Sequence, residues 1–153
     1  MDLRISDFLK LEAIIMEIKS KDKIAVIKEL VDHMVANKFV SDGDKFLNAL
    51  AKRENLESTG IGDGIAIPHA RTDAVQNIIL AFARSPAGVD FSSIDGKPSH
   101  LIFLIASPEN KKSEYIMALA KLSRLLRKQP VREQLKKAND PEEILSIIKS
   151  NEE

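Results

Sequence analysis

The sequence predicts an α/β fold, a mixed and largely parallel sheet between helices, and two observations carry that expectation. Runs 78–83 and 101–106 are apolar at consecutive rather than alternate positions, the pattern of strands covered on both faces. Around them lie segments with apolar residues spaced i, i+3, i+4, which marks helices with one buried stripe. The 153 residues suit a single domain spanning residues 1–153, with enough chain to bury a sizeable core.

Taken in order, Ile5 and Phe8 read as a short docking turn. Residues 11–18 are apolar-rich around Ile14 and Ile15; the run is too short to separate strand from helix by period, and strand is favoured. Ser20 ahead of Asp22 signals a helix over 21–37. Its stripe is Ile24, Ile27, Leu30, Val31, Met34 and Val35, and His33 lies off it as a solvated surface residue. Ser41 with Asp44 resembles a capping box, opening a helix that carries Phe46, Leu47 and Leu50 inward as far as about Arg53. Gly60, Gly62 and Gly64 then exclude a helix and point to a tight turn entering a short strand, 65–67. Pro68 ends that strand and leaves His69 at its mouth.

Gly88 and Asp95-Gly96-Lys97-Pro98 are turn signals between the two buried strands. The C-terminal third reads as helical. Residues 112–128 place Ile116, Leu119, Leu122 and Leu126 on one face and stop before Pro130. Short helices follow at 131–138 and, with Pro141 near the first turn, at 142–149.

Composition removes several functions. Lys plus Arg and Asp plus Glu are both 23, a balance unlike that of a strongly basic nucleic-acid binder, although a local basic patch stays open. There is no cysteine, so disulfides, thiolate metal sites and cysteine nucleophiles are excluded. The N-terminus lacks a signal-peptide apolar core, and the longest apolar runs are about six residues against the roughly 20 that span a bilayer. A cytoplasmic, soluble protein without membrane insertion is expected. The three histidines, at 33, 69 and 100, show no metal-ligand spacing, and the glycines match neither a Walker loop nor a dinucleotide fingerprint. No metal or cofactor is expected.

His69 is the histidine in a special backbone context. It follows a short buried strand, a glycine turn and Pro68, at the kind of sheet end where α/β folds bind ligands. Proline restricts Ile67 and itself, so the imidazole direction is partly fixed. Imidazole titrates near neutrality and can act as an unprotonated nucleophile. Backbone N–H groups between Gly60 and Gly64, around Gly62 and Asp63, offer an anion cradle. Arg53 and Arg71 can supply bidentate contacts to phosphate oxygens. On these residues alone His69 is either nucleophilic or structural. His100 begins a buried strand and reads as structural or exposed.

The segment Ser58-Thr59-Gly60-Ile61-Gly62-Asp63-Gly64-Ile65-Ala66-Ile67-Pro68-His69-Ala70-Arg71 resembles the phosphorylation motif of the fructose/mannitol class of enzyme IIA, in the bacterial sugar phosphotransferase system. Arg53-Glu54-Asn55-Leu56 is similar to the family's Arg-Glu-x-Leu. The strand 101–106, the stretch Ala118-Leu119-Ala120-Lys121-Leu122-Ser123 and the ending Glu142-Glu143-Ile144-Leu145 extend the resemblance over essentially the whole chain.

The resemblance implies a five-stranded mixed sheet, mostly parallel, with helices on both faces. It implies a phosphoryl carrier whose His69 takes phosphate at Nε2 from phosphohistidine on HPr and passes it to a cysteine of an enzyme IIB. Arg53 would hold the transferring oxygens and Thr59 would add a hydroxyl donor, catalysis by positioning and electrostatics. The family also includes a nitrogen-related branch of regulatory phosphoproteins, and a degenerate scaffold is a third reading. Since the sequence ends at Glu153 without IIB or IIC segments, partners are expected in trans. One departure stands out: where relatives commonly carry a second histidine, this chain has Tyr115 beside Glu114. A phenol donates a hydrogen bond but, with a reference pKa near 10, carries no positive charge.

Overall fold

The computed structural model describes residues 3–152. A single 3-10 turn, Ile5–Asp7, leads into β1 (Leu9–Ile15). Two helices follow, α1 (Lys23–Ala36) and α2 (Gly43–Leu56). Three short strands come next: β2 (Gly60–Gly62), β3 (Ile65–Ala66) and β4 (His69–Arg71). Two long strands, β5 (Ile79–Val89) and β6 (Ser99–Ser107), precede α3 (Lys112–Leu126), α4 (Gln129–Lys137) and α5 (Pro141–Asn151).

The strands form one sheet in the order β1-β5-β6-β3-β2, with β4 also on β6. Its pairings are mixed: β1 with β5 and both β3 and β4 with β6 are parallel, while β5 with β6 and β2 with β3 are antiparallel. The expected five strands become six: Gly60–Gly62, expected as turn, forms β2, and the strand expected over 65–67 continues past Pro68 as β4. Ile65↔Leu101, Ala66↔Ile102 and His69↔Ile105 keep one register along β6. Pro68, which has no N–H for the ladder, divides that continuous line into two short strands.

The sheet is covered on both faces, which is why its central strands are apolar throughout. Along β6, Leu101, Phe103 and Ile105 enter one core with Leu122, Leu125, Val131, Leu135, Ile144 and Ile148 of α3 to α5. Ile102, Leu104 and Ala106 enter the other with Val26, Ile27, Leu30, Phe46 and Leu50 of α1 and α2. Successive residues of a strand point to opposite faces, so a one-residue slip of β6 would exchange the contents of the two cores. Phe82 and Phe103 are tilted partners, with centroids 4.7 Å apart, in the first core.

Helix boundaries differ from the expected ones for local reasons. Asp22 itself caps α1, accepting from Ala25 N–H at 2.9 Å, while the Ser20 hydroxyl donates to Glu29. Asp42, not Ser41, caps α2 by accepting from Lys45 N–H, and Ser41 Oγ donates to the Ala74 carbonyl instead. Two stripes also shift. Ile24 and Val35 of α1 are exposed, and Ile116 of α3 is 53% exposed while Ala118 and Leu125 are buried in its place. Proline 130 sits in the first turn of α4, where its missing N–H costs no helical bond. Among the described residues, no helix is long and apolar enough to cross a membrane.

Candidate active site

His69 opens β4, and its backbone is held on two sides. It pairs with Ile105 of β6, whose N–H donates to the Pro68 carbonyl at 3.0 Å. On the other side, the Ile67 N–H donates to the Thr59 carbonyl at 2.9 Å. The imidazole folds back on its own chain, with Nδ1 2.6 Å from the Ile67 carbonyl oxygen. A carbonyl only accepts, so Nδ1 bears the hydrogen and the neutral ring keeps its lone pair on Nε2. Among the described residues, Nε2 has no hydrogen-bond partner.

Burial is the main influence on this ring and holds its pKa below the ordinary 6.5. The hydrogen bond to Ile67 acts the other way, the Arg53 charge reinforces the depression, and Glu54 opposes it. Imidazole is therefore neutral, and nucleophilic in its chemistry, at physiological pH.

Arg53 and Tyr115 reach His69 from opposite layers. Arg53, half-buried in the last turn of α2, spends one contact on its own helix end, donating from Nη1 to the Glu57 carbonyl at 2.7 Å. A guanidinium has five N–H donors, so this bond leaves capacity for an anion. Tyr115 lies in the first turn of α3, and its ring sits 5.9 Å from the His69 ring, tilted by 54°. Burial pushes the phenol up to about 12 against the pull of Arg53 and Arg71. Arg71 is two residues beyond His69 in β4 and therefore on the same side of the strand. It is exposed, with Nη1 3.5 Å from the Glu109 carbonyl, the outer limit of a hydrogen bond.

The other sequence candidates are placed differently. The Thr59 hydroxyl donates to Glu54 Oε1 at 2.7 Å and its N–H to Oε2 at 2.8 Å, so this residue is committed to Glu54 and not free as an anion donor. The 62–64 end of the glycine segment lies away from His69, while Gly60, paired with Ala66, gives its N–H to Ser58 Oγ. That end lies at the start of β6, where the Gly64 carbonyl accepts from His100 and Leu101 N–H, whereas His69 aligns with Ile105. Four strand residues separate the two places, about 13 Å at about 3.3 Å each. There, Asp63 donates its N–H to Asp95 Oδ2 at 3.1 Å, and Gly62 and Asp63 both adopt positive φ to close the β2–β3 turn. Gly60 serves a close approach: any Cβ there would overlap Ser93 Oγ and press on Phe91.

Neither remaining histidine joins the site. His33 is not merely solvated: it is half-buried, and its Nε2 lies 2.6 Å from the Glu12 carbonyl, linking α1 to β1. His100 has Nδ1 2.9 Å from the Ser85 carbonyl and braces the β5–β6 connection. Two participants escaped sequence reasoning. Ile67 acts through its backbone oxygen, which no residue type announces. Glu54 stands in the quoted motif, and its buried carboxylate holds Thr59.

In chemical terms this is an α/β protein with a neutral, oriented imidazole beside a phenol and under the electrostatic influence of Arg53. The chain matches, over residues 7–151, the family described as "Phosphoenolpyruvate-dependent sugar phosphotransferase system, EIIA 2", and it belongs to that family. It is 40% identical over 150 residues to the fructose-specific EIIABC component of Bacillus subtilis, covering 98% of this chain but 24% of that protein. The fructose-specific EIIA component of Haloferax volcanii is 40% identical over 144 residues, with 94% of each chain covered. Among solved structures, the nitrogen regulatory protein IIA-Ntr of Neisseria meningitidis superposes with a TM-score of 0.88 at 32% identity, covering 94% of this chain and 98% of that one. The Escherichia coli mannitol enzyme IIA, solved in complex with phosphorylated IIB, gives a TM-score of 0.77 at 26% identity, with 93% and 99% covered.

Proposed function

We propose that this protein is a phosphoryl carrier in which His69 Nε2 accepts phosphate from phosphohistidine on HPr and passes it to a cysteine of an enzyme IIB. The carrying observation is the Nδ1–H bond to the Ile67 carbonyl, which fixes the tautomer and leaves the Nε2 lone pair for attack. As Nε2 bonds to phosphorus, the donor's N–P bond breaks and its imidazole departs with the electron pair. Positive charge that develops on the His69 ring is shared with Ile67 through Nδ1–H. Arg53, and Arg71 from the strand edge, face the charge of the transferred group, a positioning and electrostatic role. The fructose-specific names of two relatives and the IIA–IIB complex of a third support transfer within sugar uptake.

A second reading, a regulatory phosphoprotein acting on a partner according to its phosphorylation state, is favoured by the IIA-Ntr likeness. Both readings require phospho-His69. The test is incubation with phosphoenolpyruvate, enzyme I and HPr, followed by intact mass and then addition of IIB. A single phosphate that is stable in base, labile in acid and absent from His69→Ala is expected. Phosphate surviving on His69→Ala overturns the proposal, and retention of the phosphate in the presence of cognate IIB favours the regulatory reading.

A further inference from the structure

We propose that Glu54 is a positioning residue for His69, acting through a chain of hydrogen bonds that runs from Lys23 through Glu54, Thr59 and Ile67 to the imidazole. The inference rests on the carrier reading for its consequence in transfer, and on geometry alone for its effect on the ring.

Glu54 is an acid where a core would normally exclude one, 6% exposed and in the last turn of α2 next to Arg53. A buried carboxylate is costly unless paired and fully hydrogen-bonded. Here it is both. Lys23 Nζ, at the first residue of α1, lies 3.3 Å from Oε2. Thr59 donates twice, from N–H to Oε2 and from its hydroxyl to Oε1. These bonds fix the peptide of Thr59, whose carbonyl accepts from Ile67 N–H at 2.9 Å. The carbonyl of Ile67 in turn accepts from His69 Nδ1–H at 2.6 Å. Each bond fixes one side of a residue whose other backbone group serves the next, so the coupling is one of position: the backbone that carries the acceptor for His69 is held from Glu54 onward.

The chain joins three elements: the start of α1, the end of α2 and the strand line that carries His69. It also couples the site's two key groups, since Arg53 precedes Glu54 on the same helical turn. Among the described residues, Glu54 is the acid whose charge favours the imidazolium form, against Arg53, and Tyr115 lies beside the ring.

The experiment uses the full chain, 15N-labelled, as wild type, Glu54→Gln, Thr59→Val and Thr59→Ser. Long-range 1H–15N spectra read the tautomer and pKa of the His69 ring, which general loosening of a folded protein would not shift in a defined direction. Wild type and Thr59→Ser should hold the Nδ1–H form alone. Glu54→Gln should mix both tautomers and lower the ring pKa, and Thr59→Val should do so in part. Phosphoryl transfer from phospho-HPr should fall about 10- to 100-fold in kcat for Glu54→Gln, with KM for HPr unchanged. Ring spectra identical to wild type in both Glu54→Gln and Thr59→Val overturn the inference. If Glu54→Gln does not fold, Thr59→Val decides alone. A ring that shifts as expected in a protein that takes no phosphate refutes the carrier reading and leaves the positioning role standing.

Discussion

Replacing Tyr115 with histidine should make phosphorylation depend on pH where the native protein shows no such dependence from this position. The wild-type phenol, pushed up to about 12, stays neutral across the physiological range. A histidine at 115 would enjoy no such constancy. In the unphosphorylated protein it faces the same burial and the same two arginines, which hold an imidazole below its reference value of about 6.5. Phosphate on His69 places negative charge about one ring separation away, and that separation is 5.9 Å. At an effective dielectric of about 20, each such charge pair is worth about 3 kcal/mol, or about two pKa units. The imidazole at 115 therefore binds a proton more tightly in the phosphorylated state. Acidification through that window favours phosphorylation by up to about 100-fold, and the gain disappears as pH rises through the raised value. The assay is the equilibrium phosphohistidine level against pH for wild type, Tyr115→His and Tyr115→Phe at one ratio of phospho-HPr to HPr. Tyr115→Phe isolates the hydroxyl, and a lower level in it measures the phenol's hydrogen bond. Three coincident curves would refute the reasoning, because they would mean that the ring pair does not communicate with the phosphate.

Other outcomes follow from the same geometry. Arg53→Ala should fold normally and lose transfer rate equivalent to about 2–4 kcal/mol of barrier, with Arg53→Lys recovering part; wild-type rates in Arg53→Ala would make the arginine structural. The same Arg53→Ala change should raise the His69 pKa, because the guanidinium charge depresses it; an NMR titration in which the value falls contradicts the electrostatics. Phe103→Ala removes a fully buried ring from its contact with Phe82 and should cost about 3–5 kcal/mol of stability in urea unfolding, with a loss below about 1 kcal/mol contradicting the packing.

The architecture was legible wherever periodicity and burial agree. The apolar runs of β5 and β6 announced a sheet covered on both faces, and apolar period, polar start signals and prolines placed α1 to α5 to within a few residues. The sixth strand was not legible, because only the register on β6 shows that Pro68 interrupts a line that continues on its far side. The stripes of α1 and α3 misplaced Ile24, Val35 and Ile116, since hydrophobicity alone does not say which flank of a helix the sheet reaches. At the site, His69 and Arg53 stood out by backbone context and charge before the motif, and the family's second-histidine position set Tyr115 near His69, where the rings lie 5.9 Å apart. The far end of the glycine turn, residues 62–64, was not legible as distant from His69, because closeness along the chain is not closeness in space when a strand carries the histidine away from it. Backbone groups such as the Ile67 carbonyl leave no trace in residue identity at all.

The placement of Arg53, His69 and Tyr115 has a consequence for how the protein comes into being. Arg53 arrives with α1 and α2 from one side of the sheet, Tyr115 with α3 from the other, and His69 stands on the strand between them. Neither half of the molecule contains the site. With either layer undocked, the imidazole would lack its cation or its phenol. On the carrier reading, phosphoryl uptake would report the complete native state more stringently than helix content or collapse, and a lesion in either core is expected to silence it before the secondary structure is lost.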